Sequence, residues 1–155
     1  MQSQPLSIPF TADAYQALQT ELRRLEEEKA SLLIRLQTAR EMGDLSENGA
    51  YKYAKIEIGN TNKRMRDIMQ TLQHAVVVQK QPNPTTVVFG CTVTLQQGTR
   101  TRTYMVVSQH ESDPAQGKLS MESPIGQAIL GKSKGDTVTA RTPAEPIQLT
   151  ILEIR

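Results

Sequence analysis

Two carboxylates three residues apart, Asp44 and Glu47, stand in the stretch Gly43-Asp44-Leu45-Ser46-Glu47-Asn48, at the one break between two long helical apolar patterns. Hard carboxylate oxygens suit a divalent cation such as Mg2+, which takes one or two carboxylates and fills its other positions with phosphate and water. One pair is too few for a closed cage, and a convex tip has no walls to exclude water or orient a substrate. A metal held there would need ligands from a partner and its substrate, so the chemistry would be completed on that partner. The same spacing also fits a capping box, with Asp44 as N-cap and Glu47 at the third position of the helix that follows. Spacing alone leaves both explanations open.

The elements that must position this pair are visible on either side of it. Tyr15, Leu18, Leu22, Leu25, Lys29, Leu32, Leu36 and Ala39 step by threes and fours, and Tyr51, Ala54, Ile58, Thr61, Met65, Ile68, Leu72 and Ala75 repeat the pattern. If the chain folds back across 43–48, position numbers across the pair sum to a constant: Leu18 faces Leu72, Leu22 faces Ile68, Leu25 faces Met65 and Leu36 faces Ala54. The polar lapses Lys29 and Thr61 then meet. Neither helix could hide its stripe alone, so the register predicts an antiparallel coiled-coil hairpin. With a rise of about 1.5 Å per residue, its tip lies about 45 Å from its base.

The 155 residues, 37% hydrophobic, leave room for one more domain and contain no apolar run long enough to span a bilayer. Residues 1–9 lack the basic start and apolar middle of a signal peptide, so the cytoplasm is expected and no membrane partner is. Cys91 is the only cysteine, which excludes a disulfide framework or a cysteine zinc cluster and suits a small core residue. Eighteen basic against 16 acidic side chains give a formal charge of +2, too mild to mark nucleic-acid binding by itself. Patterning says more: Lys52, Lys55, Lys63, Arg64 and Arg66 crowd the second helix, while Glu26, Glu27 and Glu28 crowd the first. A solvated face and an RNA-facing patch both account for that. His74 and His110 have no partners at ligand spacing and are assigned structural or surface roles.

The hairpin is expected to occupy 1–78, a linker with Pro82 and Pro84 to occupy 79–86, and a second domain to fill 87–155. There the period becomes strand-like, with β-branched runs at 87–95, 101–107, 118–122, 137–141 and 147–154 and Gly98 where a hairpin would turn. Ser123 is a good N-cap, Pro124 fits the first helical position, and Gly131 closes a short helix over 125–130. Five strands and one helix make a compact α+β domain.

Four stretches carry a family resemblance. Ala39-Arg40-Glu41-Met42-Gly43-Asp44-Leu45-Ser46-Glu47-Asn48-Gly49-Ala50-Tyr51 resembles the AREHGDLSENAEY motif of bacterial Gre transcript cleavage factors. Phe10-Thr11-Ala12-Asp13-Ala14-Tyr15 with Leu18 resembles LTxEGYxxL, and Val88-Phe89-Gly90-Cys91-Thr92-Val93-Thr94-Leu95 resembles VxFGATVTL. Ser123-Pro124-Ile125-Gly126-Gln127-Ala128-Ile129-Leu130-Gly131-Lys132 resembles SPIARALIGK. The match runs in family order over almost the whole chain.

The resemblance implies a coiled-coil hairpin that enters the secondary channel of bacterial RNA polymerase, followed by an FKBP-like domain docked on the channel rim. It implies a monomeric factor that stimulates cleavage of the backtracked RNA 3′ end in the polymerase's own active site. By the family pattern, Asp44 and Glu47 help hold a weakly bound Mg2+ shared with polymerase, with no cofactor bound in isolation. Ser46 and Asn48 support them, Lys52 and Lys55 face RNA, and Glu122, Ser123 and Pro124 form the docking loop. Gly49 departs from the family's alanine, at a cost of about 1 kcal/mol of helix preference. Lys52-Tyr53 resembles the GreB branch, whereas Leu45 and Ala39-Arg40-Glu41 resemble the GreA branch. Two alternatives stand beside this expectation. One is a channel-binding regulator that does not stimulate cleavage. The other is an FKBP-like isomerase or chaperone, which Phe89 and Tyr104 alone serve poorly as the aromatic walls of a proline pocket.

Overall fold

The computed structural model describes residues 7–42 and 48–155, so Asp44, Ser46 and Glu47 lie outside the described residues. Two helices dominate the first half, α1 (Ala12–Glu41) and α2 (Gly49–His74). Every position of the two apolar series is buried or half-buried, as an interhelix seam requires. Leu25, Leu32 and Ala39 are the buried members on α1, and Ala54, Thr61 and Ile68 those on α2, a strict seven-residue step on each helix. Thr61, one of the two polar lapses, is only 6% exposed. Beside the seam, the Arg64 guanidinium reaches the Glu21 carboxylate at 2.9 Å across the helix pair. Both side chains are partly in water, so the bridge contributes about 0.2–1 kcal/mol and favours one register more than it stabilises the fold.

The described residues group into two compact units, one within Tyr15–Ala75 and one made of residues 7–14 plus Val76–Arg155. This differs from the expected boundary at 78, and short strands explain why. Ile8–Phe10 forms β1, α2 stops at His74, and Ala75–Val77 forms β2, which pairs with β1 in a two-stranded sheet. The Val78 amide continues that pairing to the Phe10 carbonyl at 2.9 Å. Phe10 is 1% exposed, with its ring 6.0 Å from that of His110. Thr11 donates from its amide (2.9 Å) and hydroxyl (2.6 Å) to the carboxylate of Glu111, a buried residue in the 3-10 turn Gln109–Glu111. Its hydroxyl also accepts from the Ala14 amide at 3.3 Å, so Thr11 caps α1 while a distant glutamate does what a capping-box glutamate normally does from three residues downstream.

The second half is α+β, with five strands in the order β5-β4-β3-β7-β6 and one α-helix. Strands β3 (Thr92–Gln97), β4 (Arg100–Val107), β6 (Thr137–Arg141) and β7 (Pro146–Ile154) pair antiparallel, while β5 (Lys118–Ser120) lies parallel to β4. The first strand starts at Thr92 and not at 87, because Gly90 turns the backbone at φ +81° and the Cys91 amide closes onto the Val88 carbonyl. Gly98 makes the expected turn at φ +57°, joining Gln97 to Arg100. Val93, Leu95, Val106, Ala140 and Ile151 from the sheet pack with Val87, Cys91 and Ile129 in one core. Burial pushes the Cys91 thiol up from its ordinary range, in keeping with a packing role.

Helix α3 (Pro124–Ile129) covers the sheet after Ser123, whose hydroxyl accepts from the Gly126 amide at 3.0 Å and donates to the Ser120 carbonyl at 2.7 Å. Gly126 is required there by close approach: a Cβ would fall 2.8 Å from the Met121 Cα, well inside van der Waals contact.

Candidate functional site

The site is built where α1 ends and α2 begins. The last turns of any helix leave carbonyls without intrahelical donors, and the first turn of the next leaves amides without acceptors. Asn48 serves both. Its side-chain oxygen accepts from the Tyr51 amide at 3.1 Å, while its side-chain nitrogen donates to the Ala39 carbonyl of α1 at 2.7 Å. With φ −75° and ψ 97°, Asn48 is the N-cap of α2, and its own carbonyl receives the first helical bond, from Lys52.

This corrects the capping expectation for α2: the cap is Asn48 and not Asp44. The run Asp44-Leu45-Ser46-Glu47-Asn48 holds three good capping residue types, and the one used is the last before the seam resumes at Tyr51. Both ends of the Asn48 amide are thus engaged in fastening the two helices together. Gly49 falls at the first helical position, where the interior propensity cost does not fully apply.

Around this clamp the surface is apolar where a lone hairpin would be expected to be polar. Met42 is 74%, Ile34 69% and Tyr53 63% exposed, and they border a groove of about 340 Å3 floored by Ala39 and Ala54. The neighbouring Glu57 carboxylate, by hydrogen bond and by charge, pushes the Tyr53 hydroxyl above its ordinary range. Leu33, Ile56 and Met69 are further apolar side chains exposed on the same two helices.

The basic residues divide. Lys52, Lys55, Lys63 and Arg66 are all exposed, and at about 100° per residue they share a sector of about 80° on α2. Arg64 lies outside that sector, paired with Glu21. Of the residues expected to dock, Glu122 and Pro124 are exposed, whereas the Ser123 hydroxyl is committed to the start of α3. Among the described residues no group of three or more His, Cys, Asp or Glu side chains could hold a metal ion, and no helix is long and apolar enough to cross a membrane.

The chain thus joins a helical hairpin, with its sequence motif between α1 and α2, to a five-stranded α+β domain. The chain belongs to the GreA/GreB family of transcription elongation factors: residues 8–77 match the family's N-terminal model and residues 81–155 its GreA/GreB C-terminal model. It is 40% identical over 152 residues to transcription elongation factor GreA of Pseudomonas putida, covering 95% of each chain. GreA of Trichlorobacter lovleyi is 39% identical over 153 residues, covering 96% of this chain and 97% of its own. Among solved structures, the GreA factor homolog Gfh1 of Thermus thermophilus is similar at 24% identity and a TM-score of 0.46, over 96% of this chain and 99% of its own.

Proposed function

We propose that the protein stimulates endonucleolytic cleavage of backtracked RNA inside the active site of bacterial RNA polymerase, with the hairpin entering the secondary channel. The observation that carries the proposal is the place of Asp44 and Glu47 in the short reversal between Glu41 and Gly49, where Asn48 has already taken the cap of α2. The carboxylates are then not needed to start that helix. Two hard oxygen donors three residues apart fit part of a Mg2+ sphere whose other ligands are phosphate, water and polymerase carboxylates. A second Mg2+ in such a site stabilises the entering and leaving oxygens of the phosphodiester displacement. Asp44 and Glu47 raise its occupancy, Ser46 assists at the tip, and Asn48 acts as a positioning residue by holding α1 and α2 together at the base of the reversal. Lys52 and Lys55 lie along the extruded RNA, and Glu122 and Pro124 meet the channel rim. Apolar exposure at Met42, Ile34 and Tyr53 supports insertion of this end into a partner.

The test is transcript cleavage by stalled, backtracked complexes from the same organism, with and without the protein. Faster release of short 3′ fragments is expected, and Asp44→Asn or Glu47→Gln should abolish it while thermal melts and polymerase binding stay near wild type. Binding that slows elongation but releases no fragment would establish the channel-blocking alternative instead.

A further inference from the structure

The strand register of the α+β domain places two arginines where core residues are expected. Arg100, Arg102 and Tyr104 of β4 pair with Gln97, Leu95 and Val93 of β3 and so share the sheet face that carries buried Val93 and Leu95. Further along β4 the same face is closed by buried Val106, but at Arg100 and Arg102 it opens to solvent. The result is a cavity of about 160 Å3 floored by Leu95 and Leu149, walled by Tyr104 and by Ile125 of α3, and rimmed by Arg100 and Arg102. Arg24, Arg64 and Arg155 each bridge to a glutamate, whereas neither rim arginine has a carboxylate within salt-bridge distance among the described residues.

We infer that this cavity is a recognition pocket for an acidic side chain of a protein partner, which reaches between the two guanidinium groups and rests its methylene stem on Leu95 and Leu149. Two residues apart on one strand face, the guanidinium stems rise about 7 Å from each other, a span that one carboxylate flanked by two forked donors can bridge. The volume corresponds to about five waters, the size of one side chain and not of an extended chain. An apolar floor beneath paired donors favours a carboxylate on a hydrocarbon stem over a phosphodiester. A nucleic-acid track would call for further basic residues and stacking aromatics in line, and Tyr104 is the one aromatic in the lining.

Ile125 directly follows the docking-loop residues Glu122, Ser123 and Pro124 in sequence, so the pocket continues the surface assigned above to the polymerase. The inference rests on that assignment and adds the chemistry of what the polymerase must present there. Arg100 and Arg102 are exposed and can be changed without opening the core.

The experiment compares full-length wild type, R100Q/R102Q and R100E/R102E for binding to core RNA polymerase and, separately, to a single-stranded RNA oligonucleotide, after melts confirm folding. The expected result is a loss of about tenfold in polymerase affinity for the glutamine pair and a clearly larger loss for the glutamate pair, shrinking as salt rises, with RNA binding unchanged. Equal polymerase binding by all three would overturn the pocket and leave the proposed function standing. A loss confined to RNA would reassign the arginines to phosphates and also overturn it. Failure of the wild type to bind polymerase would overturn both.

Discussion

Replacing Asn48 separates two jobs that one side chain performs. Asn48→Ala removes the acceptor for the Tyr51 amide and the donor to the Ala39 carbonyl. Loss of an N-cap costs about 1 kcal/mol, and loss of the second hydrogen bond about 0.5–1.5 kcal/mol. Together they come to about 2 kcal/mol, which in a chain of this size lowers Tm by about 4–8 °C. Asn48→Asp keeps an oxygen for the Tyr51 amide and, as a carboxylate near a helix start, favours the macrodipole, but sets oxygen against the Ala39 carbonyl, 2.7 Å from the present nitrogen. Its cost should fall at about 1 kcal/mol, between alanine and wild type. Circular dichroism at the helical band follows the melt, and amide exchange at Tyr51 and Lys52 reports the local opening. If both variants melt and exchange as wild type, the clamp is not what holds the two helix ends together. If aspartate is as damaging as alanine, the cap contributes nothing and the bond to α1 contributes all.

Three further outcomes follow from the structure. Gly126→Ala forces a Cβ against the backbone of Ser120 and Met121 and should destabilise the α+β unit by about 3 kcal/mol or more, seen as a lower denaturant midpoint with an unchanged slope. Glu111→Ala leaves the Thr11 amide and hydroxyl without their buried acceptor and should cost about 1.5–3 kcal/mol, with glutamine recovering part of it in the same unfolding assay. Lys52→Glu with Lys55→Glu should weaken cleavage of deeply backtracked complexes more than shallow ones, the difference fading as salt rises; equal losses at every length would leave these lysines as solvated surface.

The helical seam was readable because it repeats for about seven turns on each helix, so that Lys29 and Thr61 could not disguise it. The short helix of the second half was readable from Ser123, Pro124 and Gly131, residues whose backbone preferences act locally. The cap of α2 was not, because Asp44, Ser46 and Asn48 are near-equivalent capping types and the choice among them depends on where α1 delivers the Ala39 carbonyl. Strands β1 and β2 are three residues each, too short for a period, and their partners lie far apart in sequence. The bond from Thr11 to Glu111 joins residues 100 apart and leaves no local trace. Arg100 and Arg102 read as polar members of an exposed strand; only the register with Leu95 reveals that they stand on the core side. The assignment of the tip carboxylates to metal holding rests on the family motif, because their spacing fits a capping box at least as well.

The most direct measurement is the Mg2+ dependence of transcript cleavage by one defined backtracked complex, alone, with the wild-type protein, and with the Asp44→Asn and Glu47→Gln variants. If the tip raises occupancy of the weakly held second metal, the wild type should lower the Mg2+ concentration needed for half-maximal cleavage, by about tenfold for each 1.4 kcal/mol the two carboxylates contribute. Each variant should return the curve to that of polymerase alone while still competing with wild type for binding. Faster cleavage with an unshifted Mg2+ midpoint, or an undiminished shift in both variants, would contradict the account.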